Sequence, residues 1–501
     1  LKKAGIIVLA VFTLCLFFAS TTVSAEEPQY GGRIVIRAAQ DPMTLNPFML
    51  GGQAYAWDIS YAINGYLFVI GPDGEFQPDV AESWETPDNT TLIFNIREGM
   101  KFHDGVELTA DDVVFTFEKN LDPDFASYWH TGIRDHIDSV EKIDDYTVQV
   151  NLVEPFAPIF YSLLFPIVPQ HAWEEKGEDF AYEPVGAGPF KFKEWRPDDR
   201  FVIEAFDDFY AGRPYVDELE FRNMDYDTAL MAFLNEEIDV LEVGTEDLDM
   251  VEEHDKLHVV NAPGTSWFYL GVNQSEGPLA DERVRQAISY AINREEIIEN
   301  IYHGAVQRAT GPIVPVSWGH NPDVKTYPYN PGQAVRLLRE AGYEDGVTIE
   351  LKCSSGAVST MEIIQSQLAL VGIEIEMVPM EWGLLTEDIN NDDFELHYRA
   401  WTRQTDPERG INRQFMCDTN TNIAGYCNPR VDELAEKAVR TLDIEERREY
   451  YFEIQEILAE ELPAIFLWYG FTRSAHHERV NNFSIDPYYS YRTYMHMWLD
   501  N

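Results

Sequence analysis

Lysine is scarce in this chain. Only 12 of its 37 basic residues are lysines and 25 are arginines, against 87 acids, for a formal net charge of −50 at pH 7. A surface this acidic repels polyanions, which makes nucleic acid and anionic lipid poor partners. Many acids with few lysines point to a salt-adapted source; an ordinary acidic exported protein is the plain alternative. Cysteine is nearly as rare, at four residues. Catalytic signatures are missing too. There is no GxxxxGK[ST], no GxGxxG after a strand and no HExxH. His476-His477-Glu478 is the densest histidine cluster, but neighbours on a strand face apart, which predicts a solvated pair rather than a metal site. Acids are so common that no two stand out as a glycosidase pair. Neither enzymatic activity nor a cofactor is expected.

What is present is a long, well-filled chain. Its 501 residues, 45% apolar and 13% aromatic, exceed one ordinary core and predict two or three domains. The first 25 residues stand apart: Lys2 and Lys3, an apolar run from Ala4 to Ala19, then Val23-Ser24-Ala25. This is the pattern of a cleaved secretory signal peptide, and it predicts a periplasmic mature protein. Leu14 before Cys15 argues against lipidation at that cysteine. Cys417 and Cys427 bracket CDTNTNIAGYC, which in an exported protein favours a disulfide over a metal site. Cys353, on a predicted strand, is expected to be buried and unpaired.

Local patterns along the chain are clear. Leu92, Phe94 and Ile96 alternate with polar residues from Thr91 to Arg97, a half-buried strand. Thr109 opens a helix with Asp111 and Asp112 in its first turn, where carboxylates suit the positive dipole end. Gly186-Ala187-Gly188-Pro189-Phe190 is punctuation strong enough for a crossing between domains. A helix is expected over Asp227–Glu237, and a long amphipathic one from Pro278 to Gly304. Strands at Thr348–Lys352, Ile373–Val378 and Glu395–Trp401 then alternate with helices, the mark of a parallel, doubly wound sheet.

The wording of these blocks is specific. DVAESW, then REGMKFHDG and LTADDVVFTFE, resembles the peptide/nickel-type (family 5) extracellular solute-binding proteins of ABC importers, among them dipeptide- and oligopeptide-binding members. TLNPF, VGAGPFKFKEW, LADERVRQAISYAINREEI with YNPGQAVRLLREAGY, and YYFEIQEILAEELPAIFLWYG extend the resemblance in order over the mature chain. It implies an α/β, two-lobed periplasmic binding protein (class II, large type) with three domains and a hinge between lobes. The first domain is discontinuous (26–68, 186–266 and 473–501), the second (69–185) is inserted into it, and the third spans 267–472. The implied function is to capture an oligopeptide or similar solute between the lobes and deliver it to the membrane permease of an ABC importer. A monomer is expected. An oligosaccharide receptor is the alternative, and a metal or haem carrier or an exported hydrolase are further ones.

In peptide-binding members an Asp after the strand ending at Trp401 pairs with the peptide ammonium. Here the segment reads Trp401-Thr402-Arg403-Gln404-Thr405-Asp406-Pro407, and Gln404 takes that place. An amide cannot replace a carboxylate opposite a cation without losing the charge pairing. The expected ligand contacts are Tyr55, Trp267, Trp382, Trp401 and Tyr426 by stacking, with Arg403, Gln404 and Asp406 from this segment.

Overall fold

The computed structural model describes residues 27–42, 44–50, 54–72, 74–402, 406–419, 422, 425–488 and 492–500. The predicted signal peptide lies outside them. Two sheets organise the described chain. The larger has eleven strands, ordered Phe190–Arg196, Arg200–Ala205, Glu218–Asn223, Arg33–Ala38, Val240–Glu242, Ala464–His477, Leu257–Val272, Leu396–Trp401, Val347–Ser354, Ile373–Met380, with Gln307–Arg308 pairing on Ala464–His477. The smaller is antiparallel, in the order Ala81–Asp88, Thr91–Ile96, Thr147–Leu152, Ile137–Asp144.

The α/β class is as the sequence implies, but the large sheet is mixed rather than parallel throughout. Val347–Ser354 runs parallel to both its neighbours, and Arg33–Ala38 to both of its own. Between these parallel ends, Leu257–Val272 and Ala464–His477 pair antiparallel along most of their length. The two domain boundaries expected at 266/267 and 472/473 fall inside these two unbroken strands. Their pairing slips between Pro263 and Trp267, a local bulge that lets the strands change direction.

Local chemistry explains most elements. Leu92, Phe94 and Ile96 are buried on one face of their strand. The helix Ala110–Leu121 starts after Thr109, whose backbone N–H donates to Asp112 at 3.1 Å. The long helix expected over Pro278–Gly304 is divided into Glu282–Ala291 and Arg294–Asn300. Asn293 caps the second piece, and Arg294 turns inward to donate to the carbonyls of Phe466 at 2.8 Å and Ser289 at 2.9 Å. The Ser289 carbonyl is one that a continuous helix would have bonded itself, whereas Phe466 belongs to the strand Ala464–His477. His476 and His477 are also buried rather than solvated, with His477 Nε2 2.8 Å from the Phe233 carbonyl. Cys353 is buried and free, and Cys417 and Cys427 form a disulfide.

The glycine-rich crossing is fastened by two distant segments. Gly188 N–H donates to the carbonyl of Ile63, the last residue of helix Ala54–Ile63, at 2.8 Å. His103 Nδ1 accepts from Gly186 N–H at 3.2 Å, so its Nε2 carries the proton and donates to the Gly188 carbonyl at 3.1 Å. Burial lowers the His103 pKa to about 4, only partly offset by the Gly188 carbonyl. The unfolded chain takes up this proton near pH 6.5. The stability tied to the neutral ring is therefore complete above about pH 6.5 and is lost as pH falls from there towards 4. His103→Asn is expected to flatten the dependence of unfolding free energy on pH in that window. Urea melts at pH 7 and pH 5 test this, and an unchanged slope would rule out the clamp.

Candidate functional site

A cavity of about 310 Å³ lies where the two sheet systems meet. Six stretches far apart in sequence line it. Helix Ala54–Ile63 contributes Trp57 and Tyr61, four residues apart and so on one helical face. The segment from Tyr128 to Gly132 contributes Tyr128, Trp129 and Thr131, and the segment from Tyr161 to Leu164 adds Tyr161, Ser162 and Leu164. Thr265 enters from the bulge in Leu257–Val272, and Tyr488 from the chain end. The last stretch is helix Pro407–Phe415, with Arg409 and Arg413.

The aromatic residues support one another. The Trp57 ring meets Trp129 edge-on at 4.9 Å and Tyr128 at 6.2 Å. Tyr61 stacks on Tyr66 at 4.5 Å, and Trp129 Nε1 donates to the Pro47 carbonyl at 3.0 Å. Trp129 thus presents a flat apolar face while its polar tip stays bonded. Tyr161 is buried and accepts from Trp318 Nε1 at 3.0 Å, a bond between segments 157 residues apart. Burial and the nearby Asp406 charge hold its pKa well above the usual tyrosine value, so it stays a neutral hydroxyl.

The arginine-bearing helix is set by a buried ion pair. Asp406 caps it, accepting from Glu408 N–H at 2.8 Å, and is 1% exposed. Arg447 Nη2 donates to both Asp406 oxygens at 3.0 Å, and its Nε donates to the Ala438 carbonyl at 2.9 Å. Burial works against the Arg447 charge, but Asp406 outweighs it and holds the guanidinium above its ordinary pKa. Asp406, expected from sequence as a ligand contact or as a helix start, is held inside the fold by these bonds. Both of its oxygens are committed.

The other expected contacts fall elsewhere. Trp267 is 0% exposed, stacked on Tyr269 at 4.3 Å, because strand alternation turns both onto the inner face. Trp401 sits opposite Trp267 across the strand pair and is half-buried against the same core. Tyr426 is buried, its hydroxyl donating to Glu461. Trp382 is 53% exposed beneath the Arg399 guanidinium. None of these four lines the cavity. Arg403, Gln404 and the side chain of Tyr55 lie outside the described residues. Trp57, Tyr61, Tyr161 and the two arginines line the cavity without having been singled out in the sequence. The readable signals were the four-residue spacings of Trp57/Tyr61 and Arg409/Arg413.

With this geometry in hand, the likeness to known proteins is informative. The model of the bacterial extracellular solute-binding proteins, family 5 (middle part), matches residues 75–422. The oligopeptide-binding protein AppA of Bacillus subtilis (strain 168) is 30% identical over 97% of both chains. The dipeptide-binding protein of Escherichia coli (strain K12) is 29% identical, again over 97% of both. The solved structure of the Bacillus subtilis AppA in complex with a nonapeptide superposes with a TM-score of 0.74 at 28% identity, covering 95% of this chain and 100% of that one. The chain belongs to family 5 of the bacterial extracellular solute-binding proteins.

Proposed function

We propose that this protein is the periplasmic receptor of an ABC importer for peptides, which it binds in the cavity and passes to the permease without chemical change. The cavity carries the reading. Stacking rings, hydroxyls and two cations converge there from six stretches of chain, in a volume at the lower end of the roughly 300–1,000 Å³ usual for small-molecule sites. Recognition of this kind needs burial, hydrogen bonds and charge pairing, not a nucleophile. Residues 1–25 serve as a cleaved export signal. The lobes are 26–68 with 186–266 and 473–501, the inserted 69–185, and 267–472. They close by bending at the bulge of Leu257–Val272 and at its partner Ala464–His477, where Gly264 approaches Gly470 closely.

A thermal-shift panel of di- to nonapeptides and oligosaccharides on the purified mature chain tests this. A peptide at a hundredfold excess over its Kd is expected to add about 2.7 kcal/mol of stability, and mass spectrometry should return it intact. Stabilisation by oligosaccharides alone would move the protein to a carbohydrate receptor. Cleavage of the added peptide would end the receptor reading.

A further inference from the structure

A second cavity, of about 280 Å³, adjoins the first. Phe76, Trp84, Phe160, Trp318, Leu442 and Ile444 make up most of its lining, and no Asp or Glu belongs to it. Among the described residues, Tyr161 alone lines both cavities. The short helix Ile159–Ser162 explains why. Successive residues on a helix are turned by about 100°, so Phe160 meets only the second cavity, Ser162 only the first, and Tyr161 stands between them. The tyrosine ring is buried and firmly held. Phe76 packs against it at 4.7 Å between ring centres, and Trp318 Nε1 donates to its hydroxyl at 3.0 Å. Trp318 is covered in turn by the Arg447 guanidinium at 4.9 Å, itself anchored by Asp406. A ring packed on its face and bonded at its tip is a fixed wall.

We infer that Tyr161 is the partition that sets how large a peptide the receptor takes, its ring shutting the ligand cavity off from the second one. The inference rests on the peptide-receptor reading and names the size-determining residue of that site. The second cavity is built to accept an apolar group. Its aromatic and aliphatic lining suits an uncharged side chain, and its one cation, Arg447, is already committed to Asp406. Only the tyrosine ring keeps a ligand from reaching it. Cutting that side chain back to its β-carbon would join volumes of about 310 and 280 Å³ and nearly double the room for a ligand.

The test is calorimetry with alanine peptides of two to nine residues, each made with and without a C-terminal phenylalanine. Binding is measured on the wild-type chain and on Y161A, the milder Y161L and the ring-retaining Y161F. Thermal melting of each unliganded variant checks folding, and Y161L carries the test where Y161A does not fold. The wild-type chain is expected to lose about tenfold or more in affinity beyond a limiting length. In Y161A and Y161L that limit moves to longer peptides. Phenylalanine-ended peptides just past the old limit then gain roughly tenfold or more, the worth of burying one further aromatic side chain. Y161F keeps the wild-type limit, because the ring and not the hydroxyl is the wall. An unchanged limit in the folded Y161A and Y161L chains overturns the inference and leaves the receptor reading standing. So does a limit that shifts as far in Y161F as in Y161A, or a wild-type chain that binds all lengths alike. Binding of no peptide by any of the chains overturns the receptor reading and the inference with it.

Discussion

Replacing Arg447 with methionine is expected to cost the protein about 3–5 kcal/mol of unfolding free energy, the usual penalty for leaving a buried ion without its partner. Asp406 would then be 1% exposed with neither oxygen paired by a cation. Arg447 also packs its guanidinium over the Trp318 ring at 4.9 Å, so the change loses stacking as well. The damage would pass to function, because Asp406 caps the helix that carries Arg409 and Arg413. Guanidinium denaturation gives the stability, and peptide titration of the residual folded fraction gives the affinity. Asp406→Asn combined with Arg447→Met should cost less than Arg447→Met alone, since no uncompensated charge remains. Additive losses in the double variant would argue against the pair as a unit.

Gly186→Ala is expected to destabilise by about 3 kcal/mol or more, at the upper end for overpacking. A β-carbon there would sit 2.2 Å from the Ile63 carbonyl oxygen and 2.9 Å from its carbon, both backbone atoms with nowhere to move. Either the crossing or the end of helix Ala54–Ile63 must shift. The first breaks the His103 clamp, and the second displaces Trp57 and Tyr61 from the cavity. Peptide affinity should therefore fall together with the melting temperature. Gly383→Ala is the control: nothing lies within 4 Å of its added carbon, in a helix. That change should be neutral or stabilising by up to about 1 kcal/mol. Equal effects of the two substitutions would mean that the crossing tolerates a side chain and that its glycines are not there for close approach.

The contrast between these sites bears on what could be read beforehand. The glycine-rich crossing was visible as punctuation, but its tether to His103 joins residues 83 apart in sequence. The tyrosine and tryptophan counts announced an aromatic cleft without saying which rings form it. Trp267 and Trp57 have similar chemistry, yet one stacks in the core and the other meets the cavity. Asp406 was recognised as a helix start and also expected at the ligand. Its pairing with a residue 41 positions later left no trace in the local sequence.

By itself the sequence determined what depends on neighbours along the chain. The Leu92–Phe94–Ile96 alternation, the Thr109 helix start, the strand–helix alternation of the later half, the paired Cys417 and Cys427, and the block order that marks the family all belong here. Periodicity and capping act within a few residues, so they leave a local trace. The tertiary structure decided the rest: the mixed central sheet, the division of the Pro278–Gly304 helix by inward-turning Arg294, and the choice of Trp57, Tyr61, Arg409 and Arg413 over Trp267 and Tyr426 at the cavity. Each of these is fixed by a partner brought close only when the sheets form. A side chain's local pattern says that it has a buried face, while the partner across the fold says whether that face meets the core or the ligand.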